Sequence, residues 1–189
     1  MKVSFWFFVA IMCAGIRVQA MGPNFPTVNA CMSPDLHWRI RCESCVSADG
    51  GGLHTLYLSH FFAAPEVKVW ESGRNCDVLW SDDSSRLAIT DWTGSNVAEI
   101  FLVDITTPGH ATRLEVRNIA SFTQPEEMEG HIYWEALKWE DDRQLRIRCF
   151  GHTDEAHGHG FAYYLVVDTQ SGMAKLLKKF DAEDGGQAD

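Results

Sequence analysis

The sequence predicts an all-β fold built from three copies of one four-stranded unit. A decapeptide recurs: Ser33-Pro34-Asp35-Leu36-His37-Trp38-Arg39-Ile40-Arg41-Cys42 matches Glu140-Asp141-Asp142-Arg143-Gln144-Leu145-Arg146-Ile147-Arg148-Cys149, and both end in RIRC. A related stretch, Trp80 to Thr90, lies between them and carries one extra residue in its turn when aligned to these two. No long segment places apolar residues at helical spacing. The 189 residues suit a single domain, and seven Trp with 15 Gly lean towards β-structure.

Each unit reads in the same order. A strand (27–32, 76–80 or 135–139) leads into an acidic tight turn, where an Asp side chain can satisfy the backbone two residues on. The strand containing the repeat follows. A polar or glycine-rich loop comes next, at 46–52, 91–96 and 151–160. A third strand (53–59, 97–105 or 161–168) then turns into a last one (66–71, 113–117 or 175–180). The units cover about 22–72, 73–118 and 131–180, a spacing near that of propeller blades. Residues 121–130 form an irregular insertion. Its Glu126, Glu127 and Glu129 stand near His131 in sequence and read as a flexible, solvated surface. The tail 181–189 is acidic and expected to be disordered.

Val78-Leu79-Trp80-Ser81-Asp82-Asp83-Ser84-Ser85-Arg86-Leu87-Ala88-Ile89-Thr90, followed by Ile100-Phe101-Leu102-Val103-Asp104, resembles the TolB-type WD-like propeller repeat. That family's blade reads Trp-Ser-Pro-Asp-Gly, a buried strand, then a strand ending in Asp. Asp82 stands at its proline, Glu140 and Asp141 replace its Ser-Pro, and Met32 takes its tryptophan. The resemblance implies four-stranded blades in an open or partial propeller, with an irregular β-sandwich or barrel as the alternative. Three blades leave two faces uncovered. If apolar, these faces call for a protein partner or a homo-oligomer, for example two chains in a six-bladed ring.

Residues 1–20 carry a basic start at Lys2, an apolar run and a small residue at Ala20, which is the pattern of a secretory signal peptide. The expectation is an exported protein, secreted or periplasmic, without a membrane span once the segment is cleaved. Five cysteines then remain: Cys31, Cys42, Cys45, Cys76 and Cys149. Cys42 and Cys45 have CxxC spacing, but no second CxxC accompanies them, so structural thiols are the better reading. The formal charge of -10 excludes a general nucleic-acid binder, which needs clustered Lys and Arg.

The sequence contains no GxSxG, HExxH or GxxxxGK[ST] motif. A non-catalytic binding module is therefore the first functional reading. In a propeller the loops 45–52, 91–96 and 152–159 open on one end together with 72–75 and 120–130. Asp91, Trp92 and Asn96 are the candidate contact residues there, with Trp92 as anchor or as packing against its own blade. The alternative reading is a metal-binding protein or metal-dependent enzyme. His152, Glu155, His157 and His159 would be its ligands, and Zn or Cu its ion, because imidazole and carboxylate suit both.

Overall fold

The computed structural model describes residues 22–46, 50–61, 63–153 and 160–181. A short strand β1 (Asn24–Phe25) precedes three antiparallel meanders. The first blade contains β2 (Ala30–Met32), β3 (Trp38–Val46), β4 (Gly52–His60) and β5 (Ala63–Ser72). The second contains β6 (Cys76–Trp80), β7 (Arg86–Asp91), β8 (Val97–Asp104) and β9 (Ala111–Arg113). The third contains β10 (His131–Trp139), β11 (Gln144–His152), β12 (Gly160–Asp168) and β13 (Ala174–Asp181). In each blade the strands pair in chain order. β1 adds to the free edge of β6, and β10 meets β8 in a short parallel contact at Ile132 and Val97. The described strands form a four-stranded and a nine-stranded sheet and no closed ring, so the molecule is an all-β, open or partial propeller.

Local chemistry explains the turns. Ser33 Oγ donates to Asp35 Oδ1 at 2.5 Å, and Ser81 Oγ donates to Asp83 Oδ1 at 2.6 Å. Each Asp then accepts from a backbone amide two residues on, His37 N or Ser85 N. Leu36 and Ser84 take the left-handed conformation (φ 62° and 61°) at equivalent places. In the third blade Asp141 Oδ1 accepts from the amides of Arg143 and Gln144.

The turns differ in length, and the difference corrects the sequence alignment. Ser33 N bonds Trp38 O and Ser81 N bonds Arg86 O, whereas Glu140 N bonds Gln144 O. The first two turns are thus alike and the third is one residue shorter. The two RIRC segments, matched without a gap by sequence, are out of step by one in their blades. Ile40 occupies the place of Ala88, and Ile147 occupies the place of Ile89. In a strand, one residue of shift exchanges the two faces. Because the blades are at opposite ends, both isoleucines consequently face the middle blade. Ile40 packs with Leu87, Ile89 and Val103 in one core, and Ile147 packs with Ala88 and Ile100 in the other.

The arginines alternate with these isoleucines and face away from the middle blade. Arg39 and Arg41 both reach Glu66, at 3.3 and 2.6 Å. Arg146 pairs with Glu140 at 2.5 Å and Arg148 with Glu135 at 2.6 Å. The end faces therefore carry paired charges, with Arg41 over Tyr57 and Arg148 over Phe150. The apolar end patches considered from the blade count are not what these strands present.

The insertion also departs from its reading as solvated loop. Ile119–Ser121 and Pro125–Met128 form short 3-10 turns. Glu127 accepts from Gln124 N at 2.7 Å and from the Tyr163 hydroxyl at 2.5 Å, and it pairs with Lys179. Residues 1–21, which hold the expected signal segment, and tail residues 182–189 lie outside the described residues.

Candidate functional site

The loop end of the second blade is built around Asp91 and Trp92, where β7 stops. Asp91 is buried, 2% exposed. Its carboxylate accepts from Trp70 Nε1 at 3.0 Å and Ser72 Oγ at 2.5 Å, both on β5 of the first blade. Burial raises its pKa, and those two donors oppose the rise. Asp91 ties the first two blades together and is not presented at the surface.

Trp92 is half-buried, and three elements hold it. Its Nε1 donates to Asp77 Oδ2 at 2.7 Å, and the other Asp77 oxygen accepts from Asn24 Nδ2 on β1. Its ring lies against Tyr133 and Phe150 of the third blade, at 6.2 and 6.5 Å between centroids. Tyr133 and Phe150 stack at 5.2 Å, and the Tyr133 hydroxyl donates to Ser95 O. Asn96 is exposed, while its carbonyl accepts from Ile132 N. Trp92 also walls a hollow of about 390 Å³, together with His54, Gly73, Arg74 and Asn75. The connector 72–75 and the loop after β7 thus meet at one end, as the propeller reading requires.

His152 ends β11 and is exposed. Glu155, His157 and His159 lie outside the described residues. The structure brings His131 to His152 instead: the two are paired across β10 and β11, with ring centroids 4.3 Å apart. Sequence reasoning noticed His131 but had no means of placing it. Among the described residues no group of three or more His, Cys, Asp or Glu is arranged around a common point.

A second cavity, of about 520 Å³, opens between the second and third blades. Arg86, Arg113 and Arg117 line it with His110, Asp104 and Glu115. Arg86 donates to Thr169 Oγ1 across the gap, and Arg113 pairs with Glu99 at 2.7 Å. No sequence signal pointed here, because these residues come from three separate segments.

Cys42 and Cys45 lie three apart on one strand and so point to opposite faces, which rules them out as a dithiol pair in this geometry. Burial pushes the Cys149 thiol up to about 12, so it stays protonated at neutral pH. Burial and Glu127 likewise raise the Tyr163 phenol to about 12.

No protein-family model and no curated relative matches the chain. Among solved structures it is similar to the β-propeller domain of the Trilobed protease from Pyrococcus furiosus: 17% identity, TM-score 0.44, 77% of this chain and 39% of that one. It is similar to the Pyrococcus horikoshii acylaminoacyl peptidase at 11% identity and TM-score 0.45, over 77% of this chain and 24% of that one. Similarity to TolB from Acinetobacter baumannii is 12% identity and TM-score 0.35, over 82% of this chain and 45% of that one. The chain thus spans less than half the length of each. The blade architecture follows from this chain's own strand order and register.

Among the described residues, no helix is long and apolar enough to cross a membrane.

Proposed function

We propose that this chain is an exported, non-catalytic protein-binding module of the WD-like propeller type. Its mature form begins after Ala20, and residues 21–180 act as one domain. Its partner docks on the loop end around Trp92. The hollow walled by His54, Gly73, Arg74, Asn75 and Trp92 carries this reading, because two blades supply its walls and the bonds of Trp70 and Ser72 to Asp91 hold them in place. A rigid aromatic beside a concave polar surface is a common binding anchor.

Site-specific photo-crosslinking in the native host tests the assignment. A crosslinker at Asn96 is expected to capture one defined partner, and Arg74→Ala is expected to abolish the product without changing the melting temperature. A crosslinker at Lys175, on β13 of the third blade, is expected to capture none. Equal capture from both positions, or capture indifferent to Arg74, would refute a docking site at the loop end. A product of twice the chain's mass would identify the partner as a second copy. Mass spectrometry of the same material tests export: a chain starting at Met21 is expected, and an intact Met1 in soluble cytosol contradicts it.

A further inference from the structure

We propose that His131 and His152 form a two-imidazole chelate for a divalent transition-metal ion of the Zn²⁺ or Cu²⁺ class. This site shares no lining residue with the Trp92 hollow and does not depend on the partner-binding reading. The two histidines are direct cross-strand neighbours at the end of the β10–β11 ladder, with ring centroids 4.3 Å apart. Facing positions in an antiparallel pair hold their side chains on one face, so both rings project from the same side of the sheet.

The backbone fixes this pairing. Gly151 precedes His152, and a Cβ there would come within 1.7 Å of the His131 carbonyl oxygen. Only glycine permits the strands to approach this closely. One pair further along the same face, Tyr133 and Phe150 stack at 5.2 Å and form a stiff wall beneath the rings. Two imidazoles on a rigid ladder lose little conformational freedom when they close on an ion.

The hydrogen bonding supplies a ligand lone pair. His152 Nδ1 lies 3.3 Å from the Thr153 carbonyl, which can only accept. The proton of the neutral ring is then on Nδ1, and Nε2 carries the lone pair. A backbone carbonyl orienting the non-ligating nitrogen is the usual support for a metal-bound histidine. Imidazole nitrogen favours Zn²⁺, Cu²⁺ and Ni²⁺ over the hard cations Mg²⁺ and Ca²⁺. The chain's net charge of -10 favours approach of any cation.

The test uses the mature chain without a His tag. Titration calorimetry with Zn²⁺ and with Cu²⁺ is expected to show one equivalent bound. His131→Gln and His152→Gln are each expected to weaken binding by at least about tenfold, the scale on which single metal-site changes act. His37→Gln, on the exposed turn of the first blade, is the control and is expected to leave metal binding unchanged. NMR of the unsubstituted protein reads the site independently of any folding defect. Substoichiometric Cu²⁺ is expected to broaden the ring signals of His131 and His152 before those of His37, His54, His60 and His110. Absence of binding overturns the proposal, as does broadening that spares His131. Binding unchanged in His131→Gln but lost when His157 and His159 are both replaced by Gln also overturns it, and assigns the ion to the loop alone.

Discussion

Arg39-Ile40-Arg41-Cys42 and Arg146-Ile147-Arg148-Cys149 are identical in sequence, yet they occupy non-equivalent positions in their blades. In the first blade the isoleucine faces the blade that follows. In the third it faces the blade that precedes. The cause is one residue in the turn before each strand, six residues from Ser33 to Trp38 against five from Glu140 to Gln144. Strand alternation converts that residue into an exchange of faces. The outcome for the whole molecule is the same at both ends: Ile inwards, Arg outwards. The middle blade has covered neighbours on both sides, and its corresponding stretch, Leu87-Ala88-Ile89-Thr90, carries no charge. Sequence identity here marks a shared demand on the ends of the array and does not mark equivalent register.

The sharpest way to break the comparison is to equalise the turns. Deleting Leu36 shortens the first turn to the length of the third and drives Arg39 and Arg41 against Leu87 and Ile89. Burial of two unpaired guanidinium groups exceeds the stability of a domain of this size. The expected result is loss of a cooperative thermal transition by circular dichroism. A native-like melt would show that a bulge absorbs the shift and that turn length does not set the face.

Ile40→Ala and Ile147→Ala come next. Both side chains are fully buried, so each substitution is expected to cost about 2–5 kcal/mol in urea unfolding. Similar costs at the two sites would confirm that non-equivalent positions do the same work.

The arginines should then separate. The Arg41 partner Glu66 has 31% of its side chain exposed, whereas the Arg148 partner Glu135 has 5% exposed. Arg41→Ala is expected to cost under about 1 kcal/mol, as an exposed pair does. Arg148→Ala strands a buried carboxylate and is expected to cost about 2–3 kcal/mol, less than a fully enclosed pair because Arg148 itself reaches solvent. Equal losses would contradict the distinction between the two end faces.

Asp91 gives a smaller, pH-dependent effect. Its folded pKa is raised, so the native state holds the proton more tightly than the unfolded chain. Its contribution to stability therefore grows as pH falls through the raised folded value, and it levels off below the ordinary carboxylate value. Asp91→Asn is expected to flatten that part of the stability–pH curve. The smallest effect is local. Asp35 titrates at about 2 because Ser33 Oγ and the His37 amide bind its charged form. Ser33→Ala is expected to move its NMR titration upward towards 4, the ordinary aspartate value, with the fold unchanged.

The strands were legible because each turn announces itself through Asp35, Asp83 or Asp141, and because apolar residues alternate between those turns. The registers were not. A repeated RIRC invites an ungapped alignment, and only the backbone bonds of Ser33, Ser81 and Glu140 reveal the shorter turn. The loop end was legible as a location, since blade topology gathers 72–75 with 91–96. The role of Asp91 was hidden because Trp70 and Ser72 are some twenty residues away. The proximity of His131 to His152 was hidden for the same reason, as it exists only once β10 and β11 pair.

The charged end faces bear on how such a chain avoids polymerising. A stack of blades with one bare face at each end is head-to-tail by construction, so the last blade of one copy could take the first blade of the next. Unless such an arrangement closes, it grows as a filament. Here every added copy would have to bury Arg39, Arg41 and Glu66 against Arg146, Arg148 and Glu140. Each ion pair already has its partner in its own blade, so docking gains no new pairing and must strip water from those it covers. Head-to-tail docking of copies is thereby penalised on both faces by the same tetrapeptide.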